Sequence, residues 1–127
     1  RPISSAASDV YKRQIIDALC GALNLGDIGQ HFPNTPNNKN ISSIELLNKI
    51  MLLIPSNISI INIDASIVLN NPKISKYKSK IISKLAPVLK ISESQISIKG
   101  ITSNGLSFLN MKNGWGAEVI ISLKKWK

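Results

Sequence analysis

Apolar residues recur at helical spacing from Ile15 onward: Ile15, Ile16, Leu19, Ala22 and Leu23 share one face, and Gly26 follows as a C-terminal stop. The stretch from Asp27 to about Asn40 is rich in Asn, Pro and Gly and predicts a loop. Ser42 and Ser43 offer N-caps for a second helix, and Glu45 supplies an acid to its first turn. The apolar face of that helix is Ile44, Leu47, Ile50, Met51 and Ile54, ending before Pro55. Ile58 to Leu69 is β-branched and predicts a strand, broken by Asn70, Asn71 and Pro72. Ile74 to Leu89 predicts a lysine-rich amphipathic helix with Ile74, Tyr77, Ile81, Ile82, Leu85 and Leu89 inward. Pro87 predicts fraying or a kink in its last turn. Gln95 to Ile101 predicts a strand, with Ile96, Ile98 and Ile101 set against Ser97 and Lys99. A second irregular loop follows from Thr102 to Asn113, then a final strand from Gly116 to Leu123.

The order is therefore helix, loop, helix, strand, helix, strand, loop, strand. Two strands joined through a helix predict a right-handed crossover within one sheet. Helices packed on one face of a small mixed β-sheet make the expected class α+β. A chain of 127 residues with 43% hydrophobic content suits a single domain with its own core. No internal repeat is visible. No apolar run reaches the ~18 residues of a membrane span, so no membrane partner is expected. Cys20 is the one cysteine and His31 the one histidine, which excludes an intramolecular disulfide and a zinc finger.

Residues 1–14, RPISSAASDVYKRQ, break the style of the chain. They hold both arginines and show no strong helical or strand period. No apolar stretch follows Arg1, so they do not form a secretory signal. They resemble a translated adapter, a non-native leader outside the fold, with a poorly ordered native tail as the alternative. The expected domain is then 15–127.

The formal charge of +9 raises nucleic acid as a partner. Composition argues against it: the basic residues beyond position 13 are all lysines, and aromatics are 5%, so stacking platforms are scarce. Abundant Ile, Asn and Lys fit an AT-rich coding sequence. Lys73, Lys76, Lys78, Lys80 and Lys84 sit mostly on the solvent side of the third helix, where a solvated face is the plain reading.

Several short motifs point further. Asp17 to Gly29 reads DALCGALNLGDIG, and His31 to Thr35 reads HFPNT. Ser42 to Leu47 reads SSIELL, Asn62-Ile-Asp64 lies in the first strand, and Asn71-Pro-Lys73 follows it. Ile98 to Phe108 reads IKGITSNGLSF. In order and spacing these resemble the 2-C-methyl-D-erythritol 2,4-cyclodiphosphate synthase family of the non-mevalonate isoprenoid pathway. Its patterns are D-A-L-x-G-A, L-G-D-I-G, H-F-P-D-T-D, D-S-x-x-L-L, G-N-x-D, x-P-K and K-x-T-T-[ST]-E-x-L-G-F. The resemblance covers the chain from about Ile15 to its end.

The resemblance implies a reaction. The family's 2-phosphate attacks the β-phosphorus of a CDP-linked substrate, giving a cyclic diphosphate and CMP. The family works as a homotrimer with sites between neighbouring subunits. Zinc and a second divalent ion, magnesium or manganese, position the diphosphate, as suits a reaction driven by positioning and charge neutralisation. Asp27, Ile28 and Gly29 match its substrate-contacting D-I-G; otherwise they are a helix-ending turn. Phe32, Pro33, Asn34 and Thr35 match the substrate loop, with Asn34 and Pro36 at its two acidic positions. Pro72, Lys73 and Ile74 match the loop holding the cytidine end, where Lys73 would meet phosphate as a point charge. Thr102 falls at the threonine that stabilises the transition state, a hydroxyl donor aimed at developing charge. Ser103 and Phe108 match substrate contacts. Asn104 replaces the Glu that ligates the second metal, and Met111 replaces a phosphate-binding Arg.

The family's zinc is held by a D-x-H near the N-terminus and a later His on the first helix. That helix position is Arg13 here, and the D-x-H has no counterpart among the 127 residues. His31 is not a ligand in the family's H-F-P. The expectation is a synthase lacking its opening strands, inactive as 127 residues and retaining no metal ligand. Lost strands would also expose a sheet edge. The alternatives are a degenerate non-catalytic homologue and a basic nucleic-acid-binding module. Location is cytoplasmic for a bacterial source and a plastid-type organelle for a eukaryotic one.

Overall fold

A computed structural model describes residues 5–26, 28–31, 42–69, 76–101 and 115–126. The elements in chain order are α1 (Ser5–Ala22), α2 (Ile28–His31), α3 (Ser43–Met51), β1 (Ile58–Leu69), α4 (Lys78–Leu89), a 3-10 turn (Glu93–Gln95), β2 (Ile96–Ile101) and β3 (Trp115–Lys125). The sheet order is β2-β1-β3. β1 pairs with β2 in parallel, Ile63 opposite Ile96 through Val68 opposite Ile101. β1 pairs with β3 antiparallel, Ile58 opposite Lys125 through Leu69 opposite Trp115. The helices pack on one face of this mixed sheet, which is the expected α+β arrangement.

Strand alternation shows which face is inward. Ile63, Ala65 and Ile67 are buried beneath the helices, while Asp64 and Ser66 point to the open face. Ile60 is buried as well, three residues before Ile63 rather than two. A register shift between Ile60 and Asn62 accounts for this: one extra residue, Ile61, is accommodated as a bulge. Gln95 secures it. Its Nε2 donates to the carbonyls of Ile60 at 3.2 Å and Ile61 at 3.0 Å, and its Oε1 accepts from the Ser92 N–H at 2.8 Å. At the same end, the Trp126 N–H donates to the Asn57 carbonyl at 2.7 Å, and Asn57 Nδ2 donates back to the Trp126 carbonyl at 3.0 Å.

The core joins every large element. Ile15, Ile16 and Leu19 from α1, Leu47 and Ile50 from α3, Ile63 from β1 and Leu85 from α4 are completely buried. At roughly 1.5–3 kcal/mol for each large apolar side chain removed from water, these contacts hold the helices to the sheet.

Several sequence expectations need correction. The helix expected from Ile15 begins at Ser5 and runs through the compositional seam, with Tyr11 buried in the core. Residues 5–14 lie within α1, which their missing apolar period concealed. The inward stripe of α1 passes through Cys20, and Ala22 is exposed. The helix stops at Asn24, not at Gly26: Asn24 has φ 56°, its N–H donates to the Gly21 carbonyl, and the Leu25 N–H donates to the Cys20 carbonyl at 2.8 Å. Gly26 also has positive φ, 88°, and a Cβ there would overlap the Gln30 side chain. On α3, Leu46 joins the buried face and Ile44 lies only half inside. α4 begins at Lys78, and Ile74 is outside the described residues. Pro87 does not fray α4, which continues to Leu89 and closes with Lys90 in the left-handed region, the Ile91 N–H donating to the Ala86 carbonyl.

Candidate functional site

The strand register fixes where the candidate segments leave the sheet. β1 ends at Leu69, one residue past the Val68–Ile101 pair that ends β2. β3 begins at Trp115, directly opposite Leu69. Segments 70–75 and 102–114 therefore both depart from the carboxyl end of the parallel pair. Open sheets with parallel strands bind ligands outside that end. The crossover from β1 to β2 requires α4 to start there and run back, which sets Lys76, Lys78 and Lys80 beside it.

Pro72, Lys73, Ile74, Thr102, Ser103, Asn104 and Phe108 lie on those two segments, outside the described residues. Asp27, Phe32, Pro33, Asn34 and Thr35 are outside them too. Ile28 opens α2, and Gly29 is exposed on that short helix, which packs against α1. The 72–74 and 102–108 candidates thus follow in sequence from strands that finish at one end of the sheet.

Among the described residues, no group of three or more His, Cys, Asp or Glu could hold a metal ion. Arg13 is exposed on α1 and offers a guanidinium, which has no lone pair to give. The described residues do not fit the zinc that the resemblance implies, and no step below is routed through a metal.

Charge is distributed unevenly around this end. Lys76, Lys78, Lys80 and Lys84 are all exposed, and α4 has no acid in its first turn and no side-chain cap bond at Tyr77. The open sheet face carries the ion pair that sequence reasoning missed: Lys99 Nζ donates to Asp64 Oδ2 at 3.1 Å. Asp64 Oδ1 is buried without a partner. Only the parallel register, which sets Asp64 opposite Ser97, brings Lys99 within reach. Half exposed, such a pair is worth about 0–1 kcal/mol.

The family model described as the YgbB family matches residues 3–124. The chain belongs to the YgbB family. Among the described residues, that match takes in α1 to α4, β1, β2 and β3 up to Lys124. The 2-C-methyl-D-erythritol 2,4-cyclodiphosphate synthase of Clostridium kluyveri is 44% identical over 123 residues, spanning 95% of this chain and 75% of that protein. The synthase of Caldicellulosiruptor bescii is 42% identical over 116 residues, 90% of this chain and 74% of that one. Among solved structures, IspF of Plasmodium falciparum, determined as a CDP complex, superposes with a TM-score of 0.81. It is 35% identical and covers 93% of this chain and 72% of its own. No helix among the described residues is long and apolar enough to cross a membrane.

Proposed function

We propose that this YgbB-family chain is a 2-C-methyl-D-erythritol 2,4-cyclodiphosphate synthase domain, a phosphorus–oxygen lyase acting on a CDP-linked substrate. An oxygen of the substrate's 2-phosphate attacks the β-phosphorus and closes the ring. The bond from that phosphorus to the bridging oxygen breaks, and CMP leaves with the electron pair. The observation that carries this reading is the family match over residues 3–124 with its motifs in order. The shared sheet end of segments 70–75 and 102–114 supports it.

In this reading Pro72, Lys73 and Ile74 hold the nucleotide end. Asp27, Ile28, Gly29, Phe32, Pro33, Asn34 and Thr35 hold the methylerythritol end. The Thr102 hydroxyl donates to oxygen as charge develops on the phosphorus. Ser103, Asn104 and Phe108 complete the walls. Three copies assemble with sites between neighbours, and the open sheet face is the surface for that contact. Parallel pairs are usually covered on both faces, yet here Ile120 stands 60% exposed. With Arg13 at the family's helix histidine, the 127 residues bind substrate and do not turn it over.

The test is to incubate the purified chain with the CDP-linked methylerythritol 2-phosphate, zinc and magnesium, following product by phosphorus NMR and melting temperature by calorimetry. Expected are a raised melting temperature, because ligand binds the folded chain, and no cyclic product. No stabilisation by substrate contradicts the proposed function. Cyclic product contradicts the placement of Arg13 at the metal site. Light scattering should give a trimer; a stable monomer contradicts the assembly.

A further inference from the structure

We infer that the lysine stripe of α4 steers the polyanionic substrate toward the carboxyl end of the sheet, acting at a distance through its field rather than by contact. This rests on the proposed function, which supplies the anion. Residues 65–92 contain six lysines and no acid, so this stretch holds six of the nine net positive charges. Of those six, Lys76, Lys78, Lys80, Lys84 and Lys90 are exposed. The ion pair seen among the described residues is elsewhere: Lys99 with Asp64, on the open face of the sheet. The inward side of α4 is Ile81, Leu85, Ala86 and Leu89, so Lys80 and Lys84 fall on the solvent side, and Lys78 is exposed at the helix start.

Local stability does not account for this arrangement. Lysines at the start of a helix stand against its dipole, and each destabilises it. Repulsion between Lys80 and Lys84, four residues apart, adds a smaller penalty. What the stripe does provide is a continuous positive field. From Lys78 to Lys84 the helix rises only about 9 Å, near one Debye length of ~8 Å at physiological ionic strength. The charges therefore act together on an anion approaching the strand ends, where α4 begins. A concentrated field of one sign raises association rates and loses force as salt rises. Lys80 lies in the first turn of α4 and Lys84 in the second, both exposed, so both can contribute rate through their field.

The experiment is stopped-flow binding of CDP to the 127-residue chain across ionic strength. It compares the unaltered chain with Lys80→Gln/Lys84→Gln and the charge-preserving Lys80→Arg/Lys84→Arg. Expected for the Gln pair is an association rate lowered about threefold at low salt, a shallower salt dependence and an unchanged dissociation rate. The Arg pair should match the unaltered chain. Association unchanged by the Gln pair overturns the inference. A faster dissociation with unchanged association overturns it too, since that marks direct contact. Absence of CDP binding in the unaltered chain overturns the proposed function and removes the ligand assigned to the stripe.

Discussion

α3 and α4 pack into the same core, yet they are built by opposite local rules. α3 starts at Ser42, whose Oγ accepts from the Glu45 N–H at 3.2 Å, and it carries Glu45 in its first turn and Lys49 in its last. Its cap, its charges and its dipole agree. α4 starts at Tyr77 with no side-chain cap bond, puts Lys78 and Lys80 in its first turn and Pro87 in its last. Both nevertheless bury a full apolar face: Leu46, Leu47 and Ile50 on one, Ile81, Leu85 and Leu89 on the other. The difference teaches that burial holds either helix in place. Caps and surface charges adjust stability by about 1 kcal/mol each, which leaves the solvent face of α4 open to another use.

The comparison can be broken first at the shared feature. Leu47→Ala on α3 and Leu85→Ala on α4, both 0% exposed, should each cost about 2–5 kcal/mol in urea unfolding. A much smaller loss on α4 alone would mean that its apolar face does not anchor it. The next effect separates the helices. Ser42→Ala should cost about 1 kcal/mol by leaving the first turn of α3 without its acceptor. The matching change at Tyr77 should cost no cap bond, because none exists there. Pro87→Ala should stabilise α4 by about 1 kcal/mol. It restores an N–H to the helix, and the gain is partly offset because the unfolded chain becomes freer. The smallest effect is the sharpest. Lys78→Glu should raise stability by about 0.5 kcal/mol through the dipole while slowing CDP association. An equal change in both measurements, or a loss of stability, would contradict the opposed rules proposed for α4.

Much of the fold was legible in the sequence because apolar periodicity and breakers agreed. The strand from Ile58 to Leu69 is where β-branched residues and the Asn70–Pro72 breaker place it. An N-cap at Ser42 or Ser43 was readable ahead of Glu45, and Ser42 is the one used. What escaped was set by tertiary context. Tyr11 is buried by a helix whose first residues show no apolar period. The bulge at Ile61 depends on Gln95, 34 residues away, and the Lys99–Asp64 pair depends on the parallel register. Candidate site residues were legible as ordered motifs, each weak alone. The shared sheet end from which two of these segments leave was not, since it follows only once Leu69, Ile101 and Trp115 are known to meet there.

In the proposed function this sheet end receives a cytidine diphosphate. Calorimetric titration compares CDP with an RNA oligonucleotide on the 127-residue chain over a range of salt. Saturable CDP binding and no appreciable RNA binding are expected at physiological salt. No heat with CDP, together with RNA binding that falls steeply as salt rises, would contradict that function and return the lysine-rich face to a nucleic-acid role.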